Sequence, residues 1–461
     1  MKTTFLSLVL AVAPWSGFAG NDAIENYVAH EWGTFTSVQG ADSVLIPWNP
    51  LETTQLPKFV YDWNKPGLNR RPVGALNPDK FTKSVFVTLQ RMETPVIYFY
   101  SDHERTVDVT VRFPQGLITE WYPQARDIGP SAFPPHKLAT ALDGFVQQAG
   151  LSPRITLASI FGKKGVPDSR IAWRQVRLLP ATHDSQVAGE TPTGASGNHY
   201  FAARETDAAF LQVKSPDKAG PAIEQEKFLF YRGVANFKTP LQVTFNSGND
   251  TNLFLRNTGT DALRHLFVLA VRRGQGKFVY EDRVPPGQRV YTELKSGQDL
   301  LPLDELVARI SARMSEALEQ EGLYRREADA MVKTWRKSWL EEEGLRVLYV
   351  LPRQWTDDTL PLTLEPRPRE LVRVMVGRAE IIPPATDWEL LKQIVRYSES
   401  DAAGRREAVA NVRQLGLGRF LQPAVAKVLG NYPSREFSQA AWELMNAAVA
   451  KRNNGESLAN R

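Results

Sequence analysis

Residues 106–113 read TVDVTVRF, an alternation that puts Val107, Val109 and Val111 on one face of a strand and Asp108, Thr110 and Arg112 on the other. IAWRQVRL at 171–178 repeats the period. Farther on, Leu241–Phe245, Asn252–Arg256, His265–Arg272, Lys277–Tyr280 and Arg289–Leu294 make a series of short strands. Gly, Asn, Asp and Pro separate them at 247–250, 257–259, 274–276 and 285–287. Such spacing predicts an immunoglobulin-like β-sandwich over 225–300. A second β-rich domain is predicted over 20–224. One helix interrupts it, where Leu138, Ala141, Leu142, Phe145, Val146 and Ala149 recur at helical spacing.

After Leu300 the period changes from two to 3.6. Leu306, Ile310, Met314 and Leu318 make one stripe, and Ala328, Met331, Val332, Trp335 and Trp339 a second. Leu345–Leu351 and Glu370–Ile382 return to strand character. Residues 301–384 are thus predicted as a helix pair plus strands, and 385–461 as a C-terminal helical region. The fold class is α+β, mainly β, with one or two sandwich-like units followed by helices.

The chain has 461 residues, 42% hydrophobic and 23% charged, a composition that supports packed cores rather than disorder. Its formal charge of +5 is too small over this length to specify a nucleic-acid binder. With no cysteine, disulfides, thiolate metal sites, iron–sulfur clusters and c-type haem are excluded. Lys2, an apolar run from Phe5 to Ala13, and small residues at Gly17 and Ala19 predict a signal peptide over 1–19, cleaved before Gly20. No later apolar run is long enough for a transmembrane anchor. The expected location is periplasmic or extracellular.

Four segments concentrate chemistry-bearing side chains. In HEWGTFTSV at 30–38 a strand puts His30, Trp32, Thr34 and Thr36 on one face and Glu31, Gly33 and Phe35 on the other, which predicts a half-buried first strand. RMETPVIYFYS at 91–101 places Arg91 and Glu93 two apart, and Pro95 implies an edge, a strand start or a bulge. FPQGLITEWYP at 113–123 carries Glu120, which together with Glu93 supplies the two carboxylates a glycosidase needs. HYFAARETDA at 199–208 gathers His199, Arg204 and Glu205. The catalytic candidates are therefore His30, Glu31, Glu93 and Glu120. Trp32, Trp121 and Arg204 are candidates for a binding face, since aromatic faces stack on sugars and arginine takes anions. No cofactor is predicted; a divalent metal held by His30, His199 and Glu205 is the one option these residues leave open. There is no GxSxG elbow, Walker loop, GxGxxG or EF-hand loop.

In these segments, and in LPKFVY at 56–61, RETDA at 204–208, EKFLFYRGV at 226–234, EADAMVKTWRKSWLEEEG at 327–344 and LVRVMVGRAEI at 371–381, the chain resembles an uncharacterised family of exported bacterial proteins. The resemblance runs to about Pro384 and implies export and a single multi-part architecture. That family has no established activity, so it implies no ligand or catalytic residue. The sequence points first to a cell-envelope binding or structural protein whose partner is a glycan, a peptide or another protein. Its alternative is a secreted hydrolase acting on glycans through Glu and His acid–base residues, with or without a metal.

Overall fold

The computed structural model describes residues 24–50, 56–63, 87–130, 156–162, 166–180, 199–215, 223–246, 249–294, 300–432 and 434–456. The expected leader at 1–19 and the helix expected over 138–149 lie outside them. The chain is α+β and mainly β.

Ten strands, numbered here along the chain, form the largest sheet. Their order is β16 (Leu301–Pro302), β14 (Gln275–Val284), β13 (Leu263–Arg272), β17 (Gly344–Val350), β19 (Arg367–Ile382), β1 (Ile24–Gly40), β3 (Gln90–Tyr100), β10 (Leu229–Ala235), β5 (Gly116–Tyr122) and β2 (Tyr61–Asp62). A second sheet contains β18 (Leu362–Glu365), β4 (Arg105–Arg112), β7 (Arg170–Leu179), β8 (Phe210–Lys214) and β9 (Ile223–Glu226), with β6 (Asp127–Ile128) also paired to β7. A third is β11 (Leu241–Asn246), β12 (Asn249–Asn257) and β15 (Arg289–Glu293).

The two smaller sheets cover one face of the large one. Val107, Val109 and Val111 of β4, Trp173 of β7, and Val243, Leu253 and Leu255 share a core with Phe35, Met92, Phe99 and Tyr231. Helices cover the opposite face. Leu306, Ile310, Met314 and Leu318 from the helix Leu303–Gln320, with Met331 and Trp335 from Arg325–Arg336, pack on Trp32, Val96, Tyr98, Phe230 and Val376. Each such buried apolar side chain contributes about 1.5–3 kcal/mol. A capping contact fixes the second helix: the Tyr324 backbone N–H donates to Glu327 Oε2 at 2.9 Å. The four C-terminal helices gather around a third core, in which Leu390, Ile394, Phe420 and Val425 meet Val38, Trp48 and Ile382 at one end of β1 and β19.

Two expectations are corrected. Residues 225–300 do not close as their own immunoglobulin-like sandwich. β10 pairs with β3 and β5, and β13 pairs with β17, so these strands belong to the large sheet, while β11, β12 and β15 form the layer across it. Hydrogen bonding therefore runs across the boundaries placed at 224 and 300. β1 is not a half-buried strand either: it runs between β19 (parallel) and β3 (antiparallel), and both its faces are covered. Polar residues at His30, Glu31, Thr34, Thr36 and Ser37 hid that central position.

Candidate functional site

The strand β3 contains the bulge that Pro95 implies. Trp32 faces Val96 but Thr34 faces Glu93, so the register shifts, and Thr94 takes a φ of +41°. Gly33 lies against this bulge; a Cβ there would stand 2.9 Å from Pro95 Cα. The extra residue turns Arg91 and Glu93 onto the same face as Val96 and Tyr98, the face beneath the helices.

On that face a band of charge crosses six adjacent strands. Glu120 on β5 is opposite Arg232 on β10; Arg91 and Glu93 on β3 are opposite Thr36 and Thr34 on β1; Thr36 is also opposite Arg378 on β19, and Glu380 is opposite Arg346 on β17. The band lies between the core under the helix pair and the core of the C-terminal helices. Arg419, from the short turn Gly418–Phe420, and Glu342 reach it from above.

Arg346 is fully engaged. Its Nε donates to Glu380 Oε2 at 3.1 Å, Nη1 to the Trp339 carbonyl at 3.0 Å and Nη2 to the carbonyls of Glu342 and Glu343 at 2.6 and 2.9 Å. It holds the turn over the band. The other guanidiniums are only partly satisfied. Arg378 Nη2 donates to Glu342 Oε2 and Glu380 Oε2, both at 2.8 Å, but its Nε and Nη1 find no acceptor. Arg419 Nη1 donates to Glu93 Oε1 at 3.0 Å, whereas its Nε and Nη2 make no hydrogen bond, Nε being only ion-paired with Glu342 Oε2 at 3.7 Å. Arg232 Nε lies 4.0 Å from Glu120 Oε2 and lacks a bond, as does its Nη1. Arg91 Nε is 3.1 Å from Glu93 Oε1 but off the N–H axis. Each buried donor without an acceptor costs about 1–3 kcal/mol.

The electrostatics follow from this crowding. Burial pushes the Glu93 carboxyl up, but Arg91, Arg419, Arg232 and Arg378 outweigh it and hold it down at about 2. Burial, then Arg232, bring Arg91 down to about 9. Glu342 is lowered too: Arg419 and Arg378 overcome its burial. His199 feels the same field. Burial and then Arg232 bring it down to about 4, against the opposing pull of Glu93. Its ring lies on Trp335 at 5.2 Å, and its Nε2 is buried without a partner.

Of the residues singled out in the sequence, Glu93, Glu120 and His199 belong to this band or its margin. Glu120 accepts from Thr119 Oγ1 and faces Arg232; it is buried, not an exposed strand-end carboxylate. His30 shares the face but sits farther along β1, where its Nδ1 donates to Glu327 Oε2 at 2.6 Å under the rings of Tyr324 and Tyr100. Glu31 points to the opposite core, accepting from Tyr231 Oη at 2.5 Å and Arg373 Nε at 2.6 Å. The four catalytic candidates therefore do not share one pocket.

The binding and metal candidates are corrected likewise. Trp32 and Trp121 are fully buried, so neither offers a stacking platform; Trp121 Nε1 donates to Gln124 Oε1 at 2.8 Å in the core between sheets. Arg204 clasps Glu226, with Nη2 to Oε2 at 2.7 Å, and lies over the Phe201 ring at 4.9 Å. Glu205 is exposed and accepts from Lys333 Nζ at 2.5 Å. His30, His199 and Glu205 do not assemble, and among the described residues no three His, Asp or Glu side chains converge on a metal position.

Sequence reading missed Arg232, Glu342, Arg346, Arg378, Glu380 and Arg419. A signal was present for some of them: FLFYRGV and LVRVMVGRAEI carry charges inside otherwise apolar strand runs, which points to buried charge. Glu327 and Arg419 lie hundreds of residues from the groups they meet, and no local pattern announces them.

No family model and no curated protein matches the chain. Among solved structures it is similar to the Fcho1 Mu homology domain (Danio rerio) with bound Eps15 peptide, at 7% identity over 78% of this chain and 99% of that one. The TM-score is 0.27, too low for that likeness to bear on fold or function. Among the described residues no helix is long and apolar enough to cross a membrane.

Proposed function

We propose that this is an exported binding protein of the cell envelope whose buried arginines recognise an oxyanion, either free or carried on a glycan or peptide. The observation that carries this reading is the surplus of buried guanidinium N–H groups without acceptors at Arg91, Arg232, Arg378 and Arg419. Guanidinium only donates, so what completes the band is an acceptor-rich, negatively charged group. The Nε and Nη2 of Arg419, neither of which makes a hydrogen bond, form one parallel edge, the geometry that grips a carboxylate or phosphate in two bonds. Arg419 and Glu342 are the partly exposed members, so the ligand enters beside them.

A Glu93 held at about 2 stays ionised at neutral pH and has no proton to lend, so it does not suit the general-acid role of glycan hydrolysis. Calorimetry of the purified protein against inorganic phosphate, sulfate and glucuronate tests the reading. At least one should bind and raise the unfolding temperature, and Arg419→Met should weaken it. No heat from any of them at millimolar concentration overturns it. Export is tested by N-terminal sequencing of the protein from an envelope fraction, which should begin at Gly20; a retained Met1 refutes it.

A further inference from the structure

We infer that His199 makes this site select a tetrahedral oxyanion that still carries a proton, a hydrogen phosphate or its ester, over one that is fully ionised. The inference rests on the oxyanion reading above and adds the class of anion. His199 opens the short turn His199–Arg204, which is firmly placed. Tyr98 Oη donates to the Ala203 carbonyl at 2.7 Å, Arg204 clasps Glu226, and Lys333 and Arg326 of the overlying helix pair with Glu205 and Asp207. Trp335 then fixes the ring plane.

The residue is half-buried, yet its Nε2 is fully buried and bonded to nothing, so that nitrogen faces inward. The charges that act on the ring are those of Arg232, Glu93, Arg91 and Arg419. Three of these four are cations that only donate. A second N–H turned toward them adds repulsion, whereas a lone pair is attracted, so the favoured tautomer keeps the lone pair on Nε2. The low basicity of the ring, at about 4, keeps it neutral at neutral pH. The band therefore offers many donors and, beside them, a neutral acceptor that has no proton of its own to donate at that atom. Phosphate brings a hydroxyl proton that such an acceptor can take. Sulfate brings none, and its oxygens meet the same lone pair with repulsion.

The experiment is calorimetric titration of the full chain with inorganic phosphate and with sulfate at neutral pH, for the wild type, His199→Phe and His199→Gln. The wild type should favour phosphate by about tenfold or more, the value of one hydrogen bond to a charged group. His199→Phe keeps a ring on Trp335 but has no lone pair, so the preference should collapse through weaker phosphate binding and unchanged sulfate binding. His199→Gln, whose amide oxygen accepts, should restore part of it. Equal wild-type affinity for both ions, or a preference that survives in His199→Phe, overturns the role of His199 and leaves the oxyanion reading standing. Binding of glucuronate without phosphate does the same. Binding of none of the three removes both. If His199→Phe fails to fold, the wild-type ratio and His199→Gln decide.

Discussion

Replacing Glu93 by Gln removes the carboxylate to which Arg91 and Arg419 are tied and keeps its shape. The folded carboxyl sits at about 2 against an ordinary 4.5, which corresponds to about 3 kcal/mol of stability at neutral pH. The sign follows from proton counting. Because the folded value is depressed, the unfolded chain binds the proton more readily, so this stability is fully present above 4.5 and is lost as pH falls toward 2. Urea unfolding of both proteins should therefore show the Gln variant less stable by about 3 kcal/mol at pH 7, with the gap reduced to about half by pH 3. Such a loss is a sizeable share of the ~5–15 kcal/mol that holds a typical domain. A gap that does not change between pH 7 and pH 3, or a Gln variant as stable as the wild type, refutes the claim that Glu93 is held ionised by the surrounding arginines.

Three more outcomes follow from single contacts. Arg373→Met strands the buried Glu31 and should cost about 3–5 kcal/mol, while the double variant with Glu31→Leu should recover most of it, as read by thermal unfolding. Gly33→Ala places a methyl 2.9 Å from Pro95 Cα and should destabilise by about 1–3 kcal/mol; an unchanged melting temperature would show that the bulge gives way freely. Asp401 caps the helix Ala402–Gln414 by accepting from the N–H groups of Ala403 and Gly404 at 3.1 and 2.9 Å, so Asp401→Ala should lower stability by about 0.5–2 kcal/mol in urea melts.

Local period was legible from the residues, and long-range partnership was not. TVDVTVRF reads correctly as a strand with its valines inward, because a one-sided sheet writes its burial directly into alternation. The helix stripes at 306–318 and 328–335 are equally plain. The role of β1 was hidden because both its faces are buried and its charges are satisfied by Glu327, Tyr231 and Arg373, each supplied by a distant segment. Reading 225–300 as a sandwich failed for a related reason. Strand spacing shows how many strands there are, but the hydrogen-bond partner of an edge is chosen by whatever else the chain brings alongside. At the charged band, Pro95 marked the bulge, yet only the register tells that Arg91 and Glu93 turn toward the helices.

The parallel pairing of β1 with β19 has a consequence for biogenesis. The two join residues 24–40 to 367–382, so the first of the described strands to emerge waits for the last of them. Until then a seventeen-residue ribbon that carries Val28, Trp32, Phe35 and Val38 has an open side, the kind of template on which neighbouring chains stack into aggregates. A nascent molecule halted before residue 367 would be sticky rather than half-finished and harmless. Closing such a sequence-distant loop is also slow, so a holding chaperone is expected to set the yield of this protein more than the strength of its finished core does.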